Sequence, residues 1–205
     1  MEKRNPNHPP KGSSIKVEPI RSKKAIENIK GILLHAGNYR DHCLFTLGIN
    51  TAFRANELLS ITVDQVRDPK PGDQLEIRQS KNRKHRAVTL NRTSAAAIKL
   101  FLDRDYNIKW KIDNDPGAPL FYSQRGDCLA VPSVHNMVKS WCVQVGLKGN
   151  YGSHTMRKTW GYWQYKRGTL LPLLMEAYGH ASQKQTLNYL CIQPEDVKVI
   201  YGMEL

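Results

Sequence analysis

No stretch of this 205-residue chain supplies the roughly 20 consecutive apolar residues of a membrane-spanning helix. The N-terminus, MEKRNPNHPPKGSS, is charged and proline-rich where a secretory leader is apolar. Together these absences predict a cytoplasmic protein with no membrane association. Cysteine is sparse: Cys43, Cys128, Cys142 and Cys191 are far apart and form no CxxC, which excludes a zinc pattern and argues against a disulfide framework. Reduced, mostly buried thiols are expected instead. The chain also lacks a P-loop and a carboxylate cluster suited to Mg²⁺, so no nucleotide, metal or other cofactor is expected. No internal repeat or low-complexity tract appears.

Acidic residues are scarce as well. Asp and Glu number 18 against 31 Lys and Arg, a net charge of +13. Each phosphate neutralised by such a cation releases a condensed counterion, so the excess suits a polyanionic partner. Charge alone does not choose among nucleic acid, anionic membrane surfaces and heparin-like polymers. With 40% hydrophobic residues the chain is rich enough for one ordinary core.

Residues 1–20 lack apolar periodicity and read as a flexible basic arm, with one domain over 21–205. Ser22 is a natural N-cap for a helix through Ile26, Ile29 and Leu33; a second helix carries Leu44, Phe45 and Leu47, and a short third carries Leu58 and Leu59. The period then changes. QLEIRQS and RAVTL read as strands joined by the basic stretch SKNRKHR, with PLFYS as a third strand. Asn91 caps a helix through Ile98 and Leu102, residues 107–118 read as a loop, and a helix runs from Ser133 to about Val145. Short helices follow from about Ser153, Leu170, Ser182 and Pro194. The expected class is α+β and mostly α-helical, with a small three-stranded antiparallel sheet.

Four separated segments hold basic or nucleophilic side chains in a distinctive order: FRANELLSI around Arg54, SKNRKHR around Lys81, SHTMRKT with His154 and Arg157, and YGHASQKQTLNYL with His180 and Tyr189. Each alone is unremarkable. In this order they resemble the tyrosine recombinase (phage integrase) family over about residues 20–195. The family pattern has an Arg with an acid three residues on (Arg54, Glu57), a hairpin Lys (Lys81), His-x-x-Arg (His154, Arg157), and Gly-His with a Tyr nine residues later (Gly179, His180, Tyr189). Thr186 fits the family's Thr in that last turn. The sequence departs from the pattern at Tyr178, commonly Leu, and at Lys158, often His. No separate helical core-binding domain is expected ahead of the catalytic segment, a likeness to the short fimbrial-switch invertases.

The resemblance implies a site-specific recombinase that cuts and rejoins double-stranded DNA through a 3′-phosphotyrosyl link at Tyr189. The chemistry fits the residue types. Two fork-shaped guanidiniums, Arg54 and Arg157, suit the charge that builds on the non-bridging phosphate oxygens. A phenol with a pKa near 10 needs help to ionise, for which His154 is the expected base, with His180 bonding the phosphate or assisting. By resemblance Lys81 protonates the departing 5′ oxygen, with Lys84 its rival, and Glu57 positions a basic partner. Lys84, Arg83 and Arg86 are expected to contact DNA phosphates. The family also implies a homo-tetramer on paired DNA sites, a monomer being possible without DNA, in the nucleoid of a prokaryote or phage-infected cell. Type IB topoisomerase chemistry and a catalytically idle DNA-binding remnant are the alternatives.

Overall fold

The computed structural model describes residues 16–78, 85–192 and 198–202. Among them the helices are α1 (Lys23–His35), α2 (Tyr39–Thr51), α3 (Ala55–Leu59), α4 (Arg92–Arg104), α5 (Tyr106–Asn114), α6 (Val131–Gln144), α7 (Thr155–Lys166), α8 (Leu171–Tyr178) and α9 (Gln183–Leu190). Strands β1 (Gln74–Arg78) and β2 (His85–Thr89) pair antiparallel, with Leu75 opposite Val88 and Ile77 opposite Arg86.

Local chemistry accounts for several helix starts. The Ser22 hydroxyl accepts from the Ala25 N–H at 3.1 Å, Asn91 from Ser94 at 2.8 Å and Ser182 from Gln185 at 3.2 Å. Each satisfies a backbone donor that the first helical turn leaves open. Helix α6 begins two residues earlier than its Ser133 expectation, and Pro132 sits in its first turn, where a missing N–H costs nothing.

Helix α2 is the axis of the domain. It is buried nearly all round, from His42 to Gly48, and packs against α1, α4 and α7. Leu44, Phe45 and Leu47 enter a core shared with Ile29 of α1, Ile98 of α4 and Val138 of α6. Gly48 lets α7 come close, since a Cβ there would lie 2.9 Å from the Cβ of Met156. The opposite face of α7 meets α8 and α9, where Leu174, Tyr178 and Leu190 form a second apolar cluster with Ala52.

The structure corrects four expectations. The sheet has two strands among the described residues, not three. Residues 119–123 form only single bridges, Thr62 to Pro119 and Tyr122 to Cys128, because Leu120 and Phe121 are drawn into the helical core, with Phe121 stacked 6.4 Å from Phe101. Residues 107–114, expected to lie in a loop, belong to α5, which is capped by Asp105 and anchored by the wholly buried Ile108. Ile112, one turn on, packs partly against the same core, but the exposed Tyr106 and Trp110 interleave with these two in the sequence, so no single helical stripe stands out. The arm expected over 1–20 is already packed by its end: Ile20 is buried, its N–H donates to Thr159 Oγ1 at 2.8 Å, and its carbonyl accepts from Trp163 Nε1 at 3.0 Å. Residues 1–15 lie outside the described residues, as do 193–197 of the helix expected from Pro194; Val199–Gly202 form a 3-10 turn. Of the thiols expected to be mostly buried, only Cys43 and Cys142 are, while Cys128 is exposed and Cys191 intermediate.

Gly161 on α7 is the tightest approach between α7 and the second cluster, for a Cβ there would sit 2.6 Å from Tyr178 Cζ and 2.9 Å from Leu190 Cδ2. Gly161→Ala is therefore expected to destabilise the fold by about 1–3 kcal/mol, as overpacking does. A thermal midpoint equal to that of the parent would contradict this packing.

Candidate active site

Four elements converge beside that second cluster. Arg54 is the N-cap of α3, and its backbone N–H donates to Glu57 Oε2 at 2.7 Å, a turn-length reach that fixes the entry into the helix. Its guanidinium donates to Glu57 Oε1, also at 2.7 Å. Glu57 is 3% exposed and gathers two further guanidiniums, Arg86 at 3.1 Å and Arg157 at 3.8 Å. A buried carboxylate is costly unless paired, and here three cations share the pairing.

Arg157 is nearly wholly buried. It donates to the Ala52 carbonyl, and to that of Tyr178 at 2.7 Å. Burial above all lowers its pKa, to about 10, with Arg86 and Arg54 adding to the effect; at neutral pH it remains a cation. Ala52 ends α2 in the left-handed region at φ 55°, unusual for a residue with a Cβ, and this turn offers its carbonyl to Arg157.

Tyr189 on α9 is half-buried, and its hydroxyl stands 3.1 Å from His154 Nδ1. The Arg157 guanidinium carbon is 6.0 Å from the Tyr189 ring centre and 4.8 Å from that of Tyr178. Burial raises the Tyr189 phenol above its ordinary value, while the charge and hydrogen bond of Arg157 and the charge of Arg54 pull the other way. His154, N-cap of α7, has its pKa lowered by desolvation and then by Arg157, Lys158 and Arg54. A neutral imidazole with its proton on Nε2 accepts from the phenol.

His180 follows Gly179, which closes α8 in the left-handed region at φ 65°. Its ring stacks on Tyr178 at 4.9 Å, and its Nδ1 lies 3.0 Å from Thr186 Oγ1. Desolvation, then Arg157 and Arg54, bring its pKa down to about 4, so the ring is neutral at pH 7 and meets an anion as an N–H donor, not as a cation.

The structure thus brings together Arg54, Glu57, His154, Arg157, His180 and Tyr189. Lys81, Arg83 and Lys84 lie in 79–84, outside the described residues. Arg86, expected to contact DNA, turns inward here, donating to Glu57 and, at 2.6 Å, to the Ala177 carbonyl, with its guanidinium 5.3 Å from the Phe53 ring centre. Tyr178, read as core, is core and also the platform under His180 and Arg157; its O–H donates to the Arg157 carbonyl at 3.0 Å. The sequence offered one signal for that role, a tyrosine where a leucine is common. Among the described residues no group of three or more His, Cys, Asp or Glu side chains is placed to hold a metal ion, and no helix is long and apolar enough to cross a membrane.

Residues 22–195 match the phage integrase family, and the chain belongs to it. Its members break and rejoin DNA strands. The chain is 29% identical over 186 residues to the probable integrase/recombinase YoeC of Bacillus subtilis, covering 90% of this chain and 95% of YoeC. The fold is that of the XerA recombinase crystal structure, with a TM-score of 0.72 at 18% identity, covering 91% of this chain and 65% of that one. It is also that of XerH bound to its difH DNA substrate in a post-cleavage complex, with a TM-score of 0.67 at 24% identity, covering 88% of this chain and 50% of XerH. The chain thus spans nearly the whole of YoeC but only half to two thirds of the two structural neighbours. The family and the YoeC likeness favour recombinase over topoisomerase.

Glu57→Ala leaves the buried Arg157 and Arg86 without their shared counter-charge. A loss of about 3 kcal/mol in denaturant unfolding is expected, the cost of breaking a buried pair from one side. Unchanged stability would show that the arginines do not depend on Glu57.

Proposed function

We propose that this chain cuts and rejoins double-stranded DNA with Tyr189 as nucleophile and Arg54, Lys81, His154, Arg157 and His180 as its catalytic partners. The single observation that carries the reading is the 3.1 Å approach of the Tyr189 hydroxyl to His154 Nδ1, within one chain and beside the buried Arg157. The nucleophile and its base are within hydrogen-bond reach, the geometry that general-base catalysis needs.

In the cutting step the phenol proton passes to His154 as the Tyr189 oxygen attacks phosphorus. The new Tyr189 O–P bond forms as the P–O5′ bond breaks, and the 5′ oxygen takes a proton from Lys81. Arg54 and Arg157, joined by an N–H of neutral His180, balance the charge gathering on the non-bridging oxygens. The 3′-phosphotyrosyl link keeps the bond energy, so a free 5′-hydroxyl of another strand reverses the step and completes an exchange. The names of YoeC and the XerH–DNA complex support this assignment. We extend it to a homo-tetramer working on paired sites in the cytoplasm, with Lys84 and Arg83 holding phosphates around the joint.

A nicked DNA that traps the intermediate tests the reading. The parent protein is expected to give a denaturant-resistant protein–DNA band, and Tyr189→Phe none; a covalent band in that variant would remove Tyr189 from the role. Arg54→Ala is expected to cut about a hundredfold more slowly or worse, the scale for losing one preorganised donor. The pH dependence has a defined sign. Because the base must be unprotonated and the His154 pKa is lowered from 6.5, cleavage should persist down to pH 6.5 and fall only in more acid solution. An acid limb centred above pH 6.5 would exclude His154 as that base.

A further inference from the structure

Lys158 is the departure from the family pattern that the chemistry above does not use. It follows Arg157 on α7 and is 5% exposed, an uncommon place for a lysine. Its ammonium lies 4.9 Å from the centre of the Tyr189 ring and donates to Cys191 Sγ at 3.1 Å. Cys191 ends the helix that carries Tyr189, and with Ala52 it is one of the two non-glycine residues at positive φ among the described residues, at 54°. A side chain in that conformation is strained and persists where neighbours hold it. Two cations do so: Lys158 at the thiol, and Arg21, which donates to the Cys191 carbonyl at 2.5 Å. Both also complement the negative end of α9.

We propose that Lys158 is a positioning residue for Tyr189: its ammonium, seated against the phenol ring and tied to the thiol at the end of α9, holds the nucleophile in place and favours its ionised, attacking form. This rests on the reading of Tyr189 as nucleophile. The physical reason is charge. A phenolate spreads its electrons into the ring, so a cation near that ring stabilises the ionised form more than the neutral one, and does so strongly where water is excluded. Other charged or titratable groups face the phenol too: Arg157 and His154 from α7, Arg54 from the start of α3, Tyr178 and His180 around the end of α8, and Cys191. Lys184 of α9 and Lys16 share the open cleft beside Tyr189 and Lys158. Among the cations, Lys158 is the one placed to act on both the ring and the helix end.

The experiment measures covalent-complex formation on the nicked substrate as a function of pH, with Tyr189→Phe alongside. Lys158→Met keeps the length and apolar stem and removes the charge. It is expected to slow formation about tenfold at neutral pH, the effect of a one-unit rise in the phenol pKa, and the gap should close as pH rises. Lys158→Gln, a second neutral variant, is expected to do the same should the methionine variant fold poorly. Lys158→Arg should stay near the parent with an unshifted profile. Cys191→Gly, which removes the thiol and suits the left-handed turn, should also leave the profile unshifted. A parent-like rate and profile in the neutral variants, a loss equal at every pH, or the same shift in Cys191→Gly overturns the role of the charge. A covalent band surviving Tyr189→Phe refutes the nucleophile assignment instead, so the two failures are distinct.

Discussion

One buried carboxylate organises this site. Glu57 is set by the turn that opens α3, and Arg54, Arg86 and Arg157 reach it from the start of α3, from β2 and from α7. Like charges so close would otherwise repel, and in a region shielded from water the repulsion is large. With the carboxylate at the centre the cluster keeps a net positive charge, which suits it to an incoming phosphate. Arg86 also ties β2 to the carbonyl of Ala177 near the end of α8. The sheet is small, but through this contact it is joined to the helices around Tyr189.

Two left-handed helix ends that are not glycine frame the same region. Ala52 turns its carbonyl toward Arg157, and Cys191 turns its own toward Arg21. Neither residue is glycine, so each turn carries a steric cost that the surrounding contacts offset. The N-terminal segment takes part through Ile20 and Arg21, which bind α7 and the end of α9. Tyr189 is accordingly docked in its own chain, and its distance to His154 is that of a hydrogen bond.

The electrostatics divide the labour. The same cations that lower the pKa values of His154 and His180 lower the cost of ionising Tyr189, against the opposing pull of its burial. A neutral His154, a neutral His180 and a phenol near fixed cations are the arrangement that the proposed proton transfer from tyrosine to histidine needs. Tyr178, beneath both His180 and Arg157, keeps these groups in register by stacking and by its bond to the α7 backbone.

Much of this was legible in the residues alone. Apolar periodicity and caps at Ser22, Asn91 and Ser182 defined most helices, because both signals are local. The order of Arg54, His154, Arg157, His180 and Tyr189 marked the site by its resemblance to the tyrosine recombinase pattern, and those residue types suit a phosphate whatever holds them. Local signals failed where distant partners decide. Leu120 and Phe121 have strand-like neighbours but are claimed by a helical core, and α5 rests on the buried Ile108 and the partly buried Ile112 amid exposed aromatics. Arg86 looks like any surface cation until Glu57 meets it from 29 residues away. The left-handed turns at Ala52 and Cys191, and the burial of Lys158 against the Tyr189 ring, exist only because separate helices close on one another. Residue types set the available chemistry; the packing of α2, α7 and α9 set which groups touch, since contact across such sequence distances is a property of the folded chain.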